Sequence, residues 1–442
     1  MGELREGQEI QTKNFKTVKV VRNAPEKLEI GEGGQGTVYR VEYDGKQMAL
    51  KWYFTNKLKN PDKFYKNIEN NIDQGKPTSA FLWPVDITEW VDGSFGYVMP
   101  LRPKEYGDFS KYLLAREKFK SVRALVNAAL NIVEGFDALH KKGYNYQDLN
   151  DGNFFVNFTT GDVLICDNDN VMGHGFSSGI AGKCRYMAPE IVIGKKMPDK
   201  QTDRYSLSVV LFMLLFVSHP LEGKATMPPC MTDELERKFY GSDPVFMFDP
   251  TNKSNIPVTG IHKNAIARWA MFPQYVRDQF INAFSYDQLH SHETKKPRLL
   301  DSDWLRLFIR LRSEIINCSC GCEIFADPTK PVKCINGNCG KQFRIPAYLK
   351  FKKLNVPLFP GVNLYPCHTV DDNGDFKNPV AEVIVNKNDP SKIGIRNLSN
   401  VTWYAAGADG KPAPKGNNEV VTIASGIKIR FSQNVEAEII GT

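Results

Sequence analysis

The sequence predicts an α+β chain in which a small β-rich region precedes a longer helical one, and a cysteine-bearing stretch leads into an all-β module. Three observations carry this. Up to about Leu101, short β-type runs alternate with turns, and from Phe109 to about Arg312 the apolar residues recur at helical spacing. Five cysteines then crowd between Cys318 and Cys339, followed from about Val356 to Ile440 by short β-type runs broken by Gly, Asn, Asp and Pro. At 442 residues the chain exceeds what one hydrophobic core usually serves, so several domains are expected.

The elements follow in order. Thr37 to Val41 and Gln47 to Lys51 read as two strands joined at Asp44-Gly45, a hairpin signal. Pro61 to Gln74 reads as a helix with Phe64, Ile68 and Ile72 on one face and a proline at its start. Ala124 to Leu139 and Tyr205 to Leu215 read as longer helices. The apolar run Leu207 to Val217 is too short to cross a bilayer and reads as a buried helix, so no membrane span is expected.

Composition narrows the classes. Hydrophobic residues at 42% and charged ones at 24% describe an ordinary globular chain. The net charge of +7 is spread rather than massed, which argues against nucleic acid as a partner. The amino terminus carries both signs of charge with no apolar stretch behind it, and Glu6 stands where a myristoylated Met1-Gly2 terminus would need Ser or Thr. An odd, clustered set of nine cysteines suits metal better than disulfides, and a cytoplasmic location is expected.

Four segments carry chemistry. Gly31-Glu32-Gly33-Gly34-Gln35-Gly36-Thr37-Val38 is a glycine-rich turn between two strands, whose backbone amides can approach phosphate oxygens. Glycine hairpins also recur for steric reasons, and a strand rather than a helix follows, which disfavours a dinucleotide site. Lys51 closes the next strand; its ammonium can meet phosphate if a carboxylate holds it, and Glu69 on the Pro61 to Gln74 helix is the candidate. Taken singly, a solvated lysine and a surface glutamate are the plainer readings. Leu139 to Asn153 carries Asp148-Leu149-Asn150-Asp151-Gly152-Asn153, an acid and an amide five positions apart. Val163-Leu164-Ile165-Cys166-Asp167 is a buried-strand pattern ending in an acid, and Arg185 to Glu190 and Asp203 to Leu207 complete the series.

In order and spacing these segments resemble the eukaryotic-like serine/threonine protein kinase superfamily over roughly residues 22–312. The resemblance implies a bilobal protein-kinase fold that binds ATP and Mg²⁺. By it Asp148 is the catalytic base, Asn153 and Asp167 are the magnesium ligands, and Lys51 with Glu69 is the phosphate clamp. Gly31, Glu32, Gly33, Gly34, Gln35, Gly36 and Val38 would cover the nucleotide, with Ala49, Met99, Pro100 and Leu101 facing its base. Arg298 would pair with Glu190, and His140 would be structural.

The sequence departs from that pattern in places. Tyr146-Gln147 replaces the usual His-Arg, removing the arginine that pairs a phosphorylated loop, so control through Ser177 or Ser178 is not expected. Asp167-Asn168-Asp169 replaces Asp-Phe-Gly, which predicts a segment held in one conformation. Asn150 and Lys183 stand where these kinases carry lysine and threonine, so Lys183 is expected to return the missing positive charge from the other side. An exposed loop lysine is the plainer alternative.

Cys318, Cys320 and Cys322, followed by Cys334 and Cys339, offer two groups of thiolates on a short arm, as a structural Zn²⁺ ribbon needs. Cys318, Cys320, Cys334 and Cys339 are the expected ligands with Cys322 as alternate; free thiols are the other reading. The final module is faintly similar to forkhead-associated β-sandwiches around Ile393 to Trp403 and Gly426 to Phe431, without that family's phosphopeptide-reading residues.

The domain order and Cys166 to Val171 resemble bacterial kinases of tellurite-resistance systems, which implies a von Willebrand A protein and a PP2C phosphatase as partners beside a protein substrate. The expected organisation is an extension at 1–21, a kinase domain at 22–312 with its lobes meeting near 101, a zinc ribbon at 313–346 and a β-rich module at 347–442. Transfer of the ATP γ-phosphoryl group to Ser or Thr is the leading function. A nucleotide-binding scaffold without turnover, or transfer to a non-protein acceptor, are the alternatives.

Overall fold

The computed structural model describes residues 3–173, 182–371, 374–407 and 410–441. The chain divides into two compact units, one running through Lys120 and resuming over Asn131–Asp303, the other formed by Ser121–Leu130 and Trp304–Thr442.

The first unit begins with an antiparallel sheet of β1 (Glu9–Gln11), β2 (Thr17–Val21), β3 (Glu29–Glu32), β4 (Gly36–Tyr43), β5 (Lys46–Tyr53), β6 (Asp86–Ile87) and β7 (Gly96–Pro100), in the order β1-β2-β4-β5-β7-β6 with β3 beside β4. The hairpin at Asp44-Gly45 forms as the dipeptide predicts: both residues take positive φ, 52° and 69°, which matches the twist of the strands they join. The segment predicted as an extension enters the sheet. Val18 and Val20 alternate inward on β2 and are fully buried, and β2 pairs with β4 from Val18 opposite Tyr43 to Val21 opposite Arg40.

Each face of this sheet has its own core. One face holds Val18, Val20, Tyr39, Val41, Leu50, Trp52 and Val98, closed by Leu4 and Ile10. The other holds Tyr53, Phe95 and Tyr97 against Phe64, Tyr65 and Ile68 of helix α1 (Pro61–Gln74). The ends of α1 are set locally. Asn60 Oδ1 accepts from the Lys63 amide at 3.1 Å, Pro61 occupies the first helical position, and Gly75 takes φ 69° just past the last turn.

Beyond the hinge at Met99 to Leu101 the chain is mainly helical, with α2 (Phe109–Leu113), α3 (Val122–Lys141), α4 (Pro189–Val192) and α5 (Lys200–Phe216). The stretch Leu207 to Phe216 is buried all round, where Phe212 and Phe216 meet Trp269, Phe280 and other aromatic rings. Among the described residues no helix is long and apolar enough to cross a membrane. Glu190 and Arg298 form a two-pronged pair at 2.8 and 2.8 Å, and the guanidinium also donates to the carbonyls of Gln201 and Gln288.

The second unit carries two short ladders, Ile315–Asn317 with Glu323–Phe325 and Val332–Lys333 with Gln342–Phe343. A six-stranded and a four-stranded antiparallel sheet follow, the first running from Asn355–Pro357 through Ala347–Lys350 and Glu436–Gly441 to Pro412–Lys415. One continuous core serves them all, from Ile316 and Cys318 through Ile345 to Trp403 and Ile439. No core boundary falls at 346, because Ile345 and Ala347 belong to the same cluster.

Removing one partner from the buried Glu190–Arg298 pair leaves a desolvated charge behind, so Arg298→Ala is expected to lower stability by about 3–5 kcal/mol. A urea titration followed by tryptophan fluorescence reads this; a loss below about 1 kcal/mol would show the carboxylate reaching water or another partner.

Candidate active site

β5 carries the first residue of the site. Lys51 points inward from a strand whose neighbours Leu50 and Trp52 face the opposite core, and its own side chain is only 9% exposed. Its Nζ lies 3.0 Å from Asp167 Oδ1 and 2.8 Å from Asp169 Oδ2. Burial by itself would drive the proton off the amine, but the charges of Asp167 and Asp169 outweigh it and keep the ammonium protonated.

The expected Lys51–Glu69 pair does not form. On α1 it is Phe64 and Ile68 that face the sheet, while Glu69, one residue and about 100° further round, turns outward and pairs with Lys13. The amphipathic face that docks the helix therefore carries no carboxylate toward β5. Asp169 was missed as a partner, because the departure from Asp-Phe-Gly reads as a loss of residues rather than as the gain of a second acid two positions on.

Asp167 adopts a left-handed conformation, φ 53° and ψ 42°, and opens a 3₁₀ turn over Asn168–Asn170. That turn is fastened from several sides. The Asn168 side-chain amide donates to the carbonyls of Leu82 at 2.9 Å and Ile165 at 3.1 Å, and Tyr53 Oη donates to Asp169 Oδ2 at 2.6 Å. Asn67 and Asn71 on α1 both donate to the Val171 carbonyl, at 2.9 and 3.1 Å. Tyr146, in the place of the usual histidine, is fully buried and its phenol donates to the Cys166 carbonyl.

The loop from Tyr146 to Asn153 hangs from α5 and α3. The Tyr146 amide donates to Asp203 Oδ2 at 2.5 Å, and His140 sits between Asp203 at 3.3 Å and Asp301 at 2.9 Å. Burial disfavours the charged imidazole, yet hydrogen bonds to the two carboxylates and their charges carry it up to about 9, so His140 is a charged strut within this anchor. Gln147 takes φ 59° and donates to Asn145 Oδ1.

At the loop's working end, Asn150 Nδ2 approaches Asp148 Oδ1 at 3.3 Å and Asn150 Oδ1 accepts from Lys183 Nζ at 2.9 Å. The swapped asparagine and lysine therefore touch each other, and Lys183 also lies 3.6 Å from Asp151. Burial pushes the Asp148 carboxyl up to about 6, against hydrogen bonds from Asn150 and the Lys183 amide that pull it down. Asn153 Oδ1 accepts from the Asn150 amide at 2.7 Å, and Asn153 Nδ2 lies 3.5 Å from Asp167 Oδ2. Asn153 thus turns its amide nitrogen toward Asp167 and its oxygen toward the Asn150 main chain; an amide oxygen and a carboxylate are the kind of hard donor that magnesium takes.

The glycine-rich turn spans β3 and β4, with the Gly33 amide bonded to the Gly36 carbonyl at 2.9 Å. Its glycines divide into two kinds. A Cβ on Gly36 would fall 2.1 Å from the Trp52 carbonyl oxygen, so packing alone demands glycine there, whereas one on Gly31 or Gly34 would meet nothing within 4 Å. The bare backbone at Gly31 and Gly34 thus faces open space, as a phosphate-approaching turn requires. Ala49 lies opposite Met99 across β5 and β7, both buried, and Pro100 and Leu101 follow at the hinge. Ser177 and Ser178 lie outside the described residues.

In the second unit the sulfurs of Cys318, Cys320, Cys334 and Cys339 all lie within 4.8 Å of one another. Cys322 is left out of that group and its thiol turns to the Glu323 carbonyl at 3.6 Å. A backbone hydrogen bond from Cys320 and contacts with the other thiols hold the Cys318 thiol down to about 7.

A β-rich part and a helical part joined by a hinge, with a buried lysine, an acid pair and an Asp-x-x-x-x-Asn loop gathered between them, define a phosphotransferase-type nucleotide fold. The chain belongs to the protein kinase domain family, whose model matches residues 25–258. Among curated proteins it is similar to protein kinase C delta type of Mus musculus, 32% identical over 121 residues that cover 26% of this chain and 18% of that protein. It is also similar to eukaryotic translation initiation factor 2-alpha kinase 3 of Bos taurus, 26% identical over 271 residues that cover 51% of this chain and 23% of that protein. The chain thus spans about a fifth of the length of these relatives. Among solved structures, the Mycobacterium tuberculosis PknI kinase domain aligns with a TM-score of 0.38 at 20% identity, covering 52% of this chain and 83% of that one.

Tyr146→Phe removes the hydrogen bond from its phenol to the Cys166 carbonyl and leaves a buried acceptor short of that donor, which is expected to cost about 1–3 kcal/mol. Thermal unfolding compared with wild type measures it, and an unchanged midpoint would show that the phenol carries none of the segment's stability.

Proposed function

We propose that this chain is an ATP- and Mg²⁺-dependent protein kinase that transfers the γ-phosphoryl group to a serine or threonine of a protein. The observation that carries the reading is the chain of contacts linking Lys51 to Asp167, Asp167 to Asn153 and Asn153 through Asn150 to Asp148, although 116 residues separate Lys51 from Asp167. Asp148 is the base that accepts the hydroxyl proton, and its elevated pKa places it close to the working pH. Lys51 meets the phosphates under the Gly31 to Gly36 turn. Asn153 and Asp167 would hold magnesium, which supplies charge neutralisation on the phosphates when bound.

Lys183 takes part as a charge donor. It donates to Asn150 Oδ1 at 2.9 Å, and Nδ2 of the same amide donates to the Asp148 carbonyl at 3.0 Å and approaches Asp148 Oδ1 at 3.3 Å, so one side chain orients both base and cation.

The four-cysteine cluster is read as a structural Zn²⁺ site, supported by four converging sulfurs and by the exclusion of Cys322. Resemblance in the Cys166 to Val171 segment and in domain order supports a bacterial tellurite-resistance setting, with a von Willebrand A protein and a PP2C phosphatase as partners.

Two measurements test these readings. Purified protein incubated with Mg-ATP and a candidate protein substrate should gain phosphate by intact-mass spectrometry, and Asp148→Ala should reduce the rate by about 10²- to 10⁴-fold. Because Asp148 must be ionised to accept a proton, the wild-type rate should fall as pH drops through about 6. Nucleotide bound with no phosphate transferred at any pH would favour a scaffold. For the second unit, elemental analysis should find about one zinc per wild-type chain, lost in Cys339→Ser and kept in Cys322→Ser; zinc retained by Cys339→Ser would sink the assignment.

A further inference from the structure

In protein kinases the strand lysine is held by a glutamate on the first large helix, and movement of that helix makes or breaks the pair. Here the lysine has another arrangement. The inward face of α1 presents Phe64 and Ile68, and Glu69 is committed to Lys13. Lys51 is bonded instead to two acids of the turn that follows the Val163–Ile165 strand.

Those two acids differ in their surroundings. The Asp167 side chain is 42% exposed and lies beside Asn153, where it is available to a cation, while Asp169 is wholly buried. The same Asp169 oxygen that meets Lys51 also accepts from Tyr53 Oη at 2.6 Å, and Tyr53 is in turn wedged edge-on against Phe64, with ring centroids 5.2 Å apart. A carboxylate fixed by a phenol inside an apolar wall attracts an ammonium more strongly than an exposed one, since little water screens it. With Asp167 engaged by a metal, Asp169 is the acid left to hold the lysine.

We propose that Asp169 is the positioning residue of Lys51, replacing the helix carboxylate of other kinases, so that the phosphate clamp is assembled by the Asp167 to Asn170 turn whatever charge α1 carries. The inference rests on the nucleotide-binding reading above. It has a regulatory corollary. Helix α1 contributes hydrogen bonds from Asn67 and Asn71 to the Val171 carbonyl but no charge to the clamp, so the glutamate switch used elsewhere in the family is absent from this chain's described residues.

The test compares Asp169→Asn, Tyr53→Phe and Glu69→Gln with wild type, reading ATP affinity by calorimetry with and without Mg²⁺ and, separately, kcat and KM for ATP. Asp169→Asn is expected to weaken ATP binding and raise its KM about tenfold or more, as loss of a charge-assisted contact does. Tyr53→Phe, which leaves the carboxylate in place, should show a smaller loss of about two- to fivefold in the same direction. Glu69→Gln should stay within about twofold of wild type, since its carboxylate faces Lys13. Unchanged ATP affinity in Asp169→Asn, or a Glu69→Gln loss as large, overturns the inference while leaving the kinase reading intact. Should Asp169→Asn fail to fold, Tyr53→Phe decides: wild-type affinity there overturns the proposal. Wild-type protein that binds no ATP overturns the nucleotide reading itself.

Discussion

An ammonium cannot be taken into a protein interior alone, and the first unit is organised around one that was. Lys51 is buried between the sheet and α1, and its charge is compensated by acids that arrive from a turn more than a hundred residues later. That requirement ties β5, the Asp167 to Asn170 turn and, through Tyr53 and Phe64, helix α1 into one packed cluster. The hydrogen bonds of Asn67, Asn71 and Asn168 to main-chain carbonyls follow from the same need, because a turn that carries the compensating charge must itself be held.

The loop from Tyr146 to Asn153 is secured by a second buried charge arrangement. Asp203 accepts from both the Tyr146 amide and His140, and His140 reaches across to Asp301, which also receives Arg204. Two carboxylates and two cations nearly balance. The loop can therefore hold Asp148 and Asn153 in place from below, while Asn150 and Lys183 arrange the groups above. The departures from the usual kinase pattern each find a partner here: Tyr146 donates to the Cys166 carbonyl, and Lys183 donates to Asn150.

The second unit solves a different problem. Its ladders of two or three residues are too short to be stable by themselves, and they share a core with the two larger sheets that follow. Cys318 and Cys334 are part of that core, so four sulfurs are brought together at the edge of a packed layer. Where the metal reading and the packing meet is in the choice of cysteine. Cys322 is as close in sequence to Cys320 as Cys318 is, yet its position after the turn directs its thiol to the Glu323 carbonyl instead.

What the sequence determined by itself is local and rests on short-range physics. Asp44-Gly45 made a hairpin because few other pairs accept two positive φ angles, and Asn60-Pro61 with Gly75 bounded α1 because capping needs those residue types at those positions. Asp148 and Asn153 were legible through resemblance, since their order and spacing match the catalytic loop of protein kinases. Only the tertiary structure decided matters of facing and long-range pairing. Whether Ile68 or Glu69 looks at β5 depends on the docking angle of α1, one residue being a rotation of about 100° on a helix. That Lys51 meets Asp169, that the first strands complete the sheet, and that Cys322 stands aside are set by packing between segments far apart in the chain, where loop entropy and burial choose among partners equally permitted by sequence.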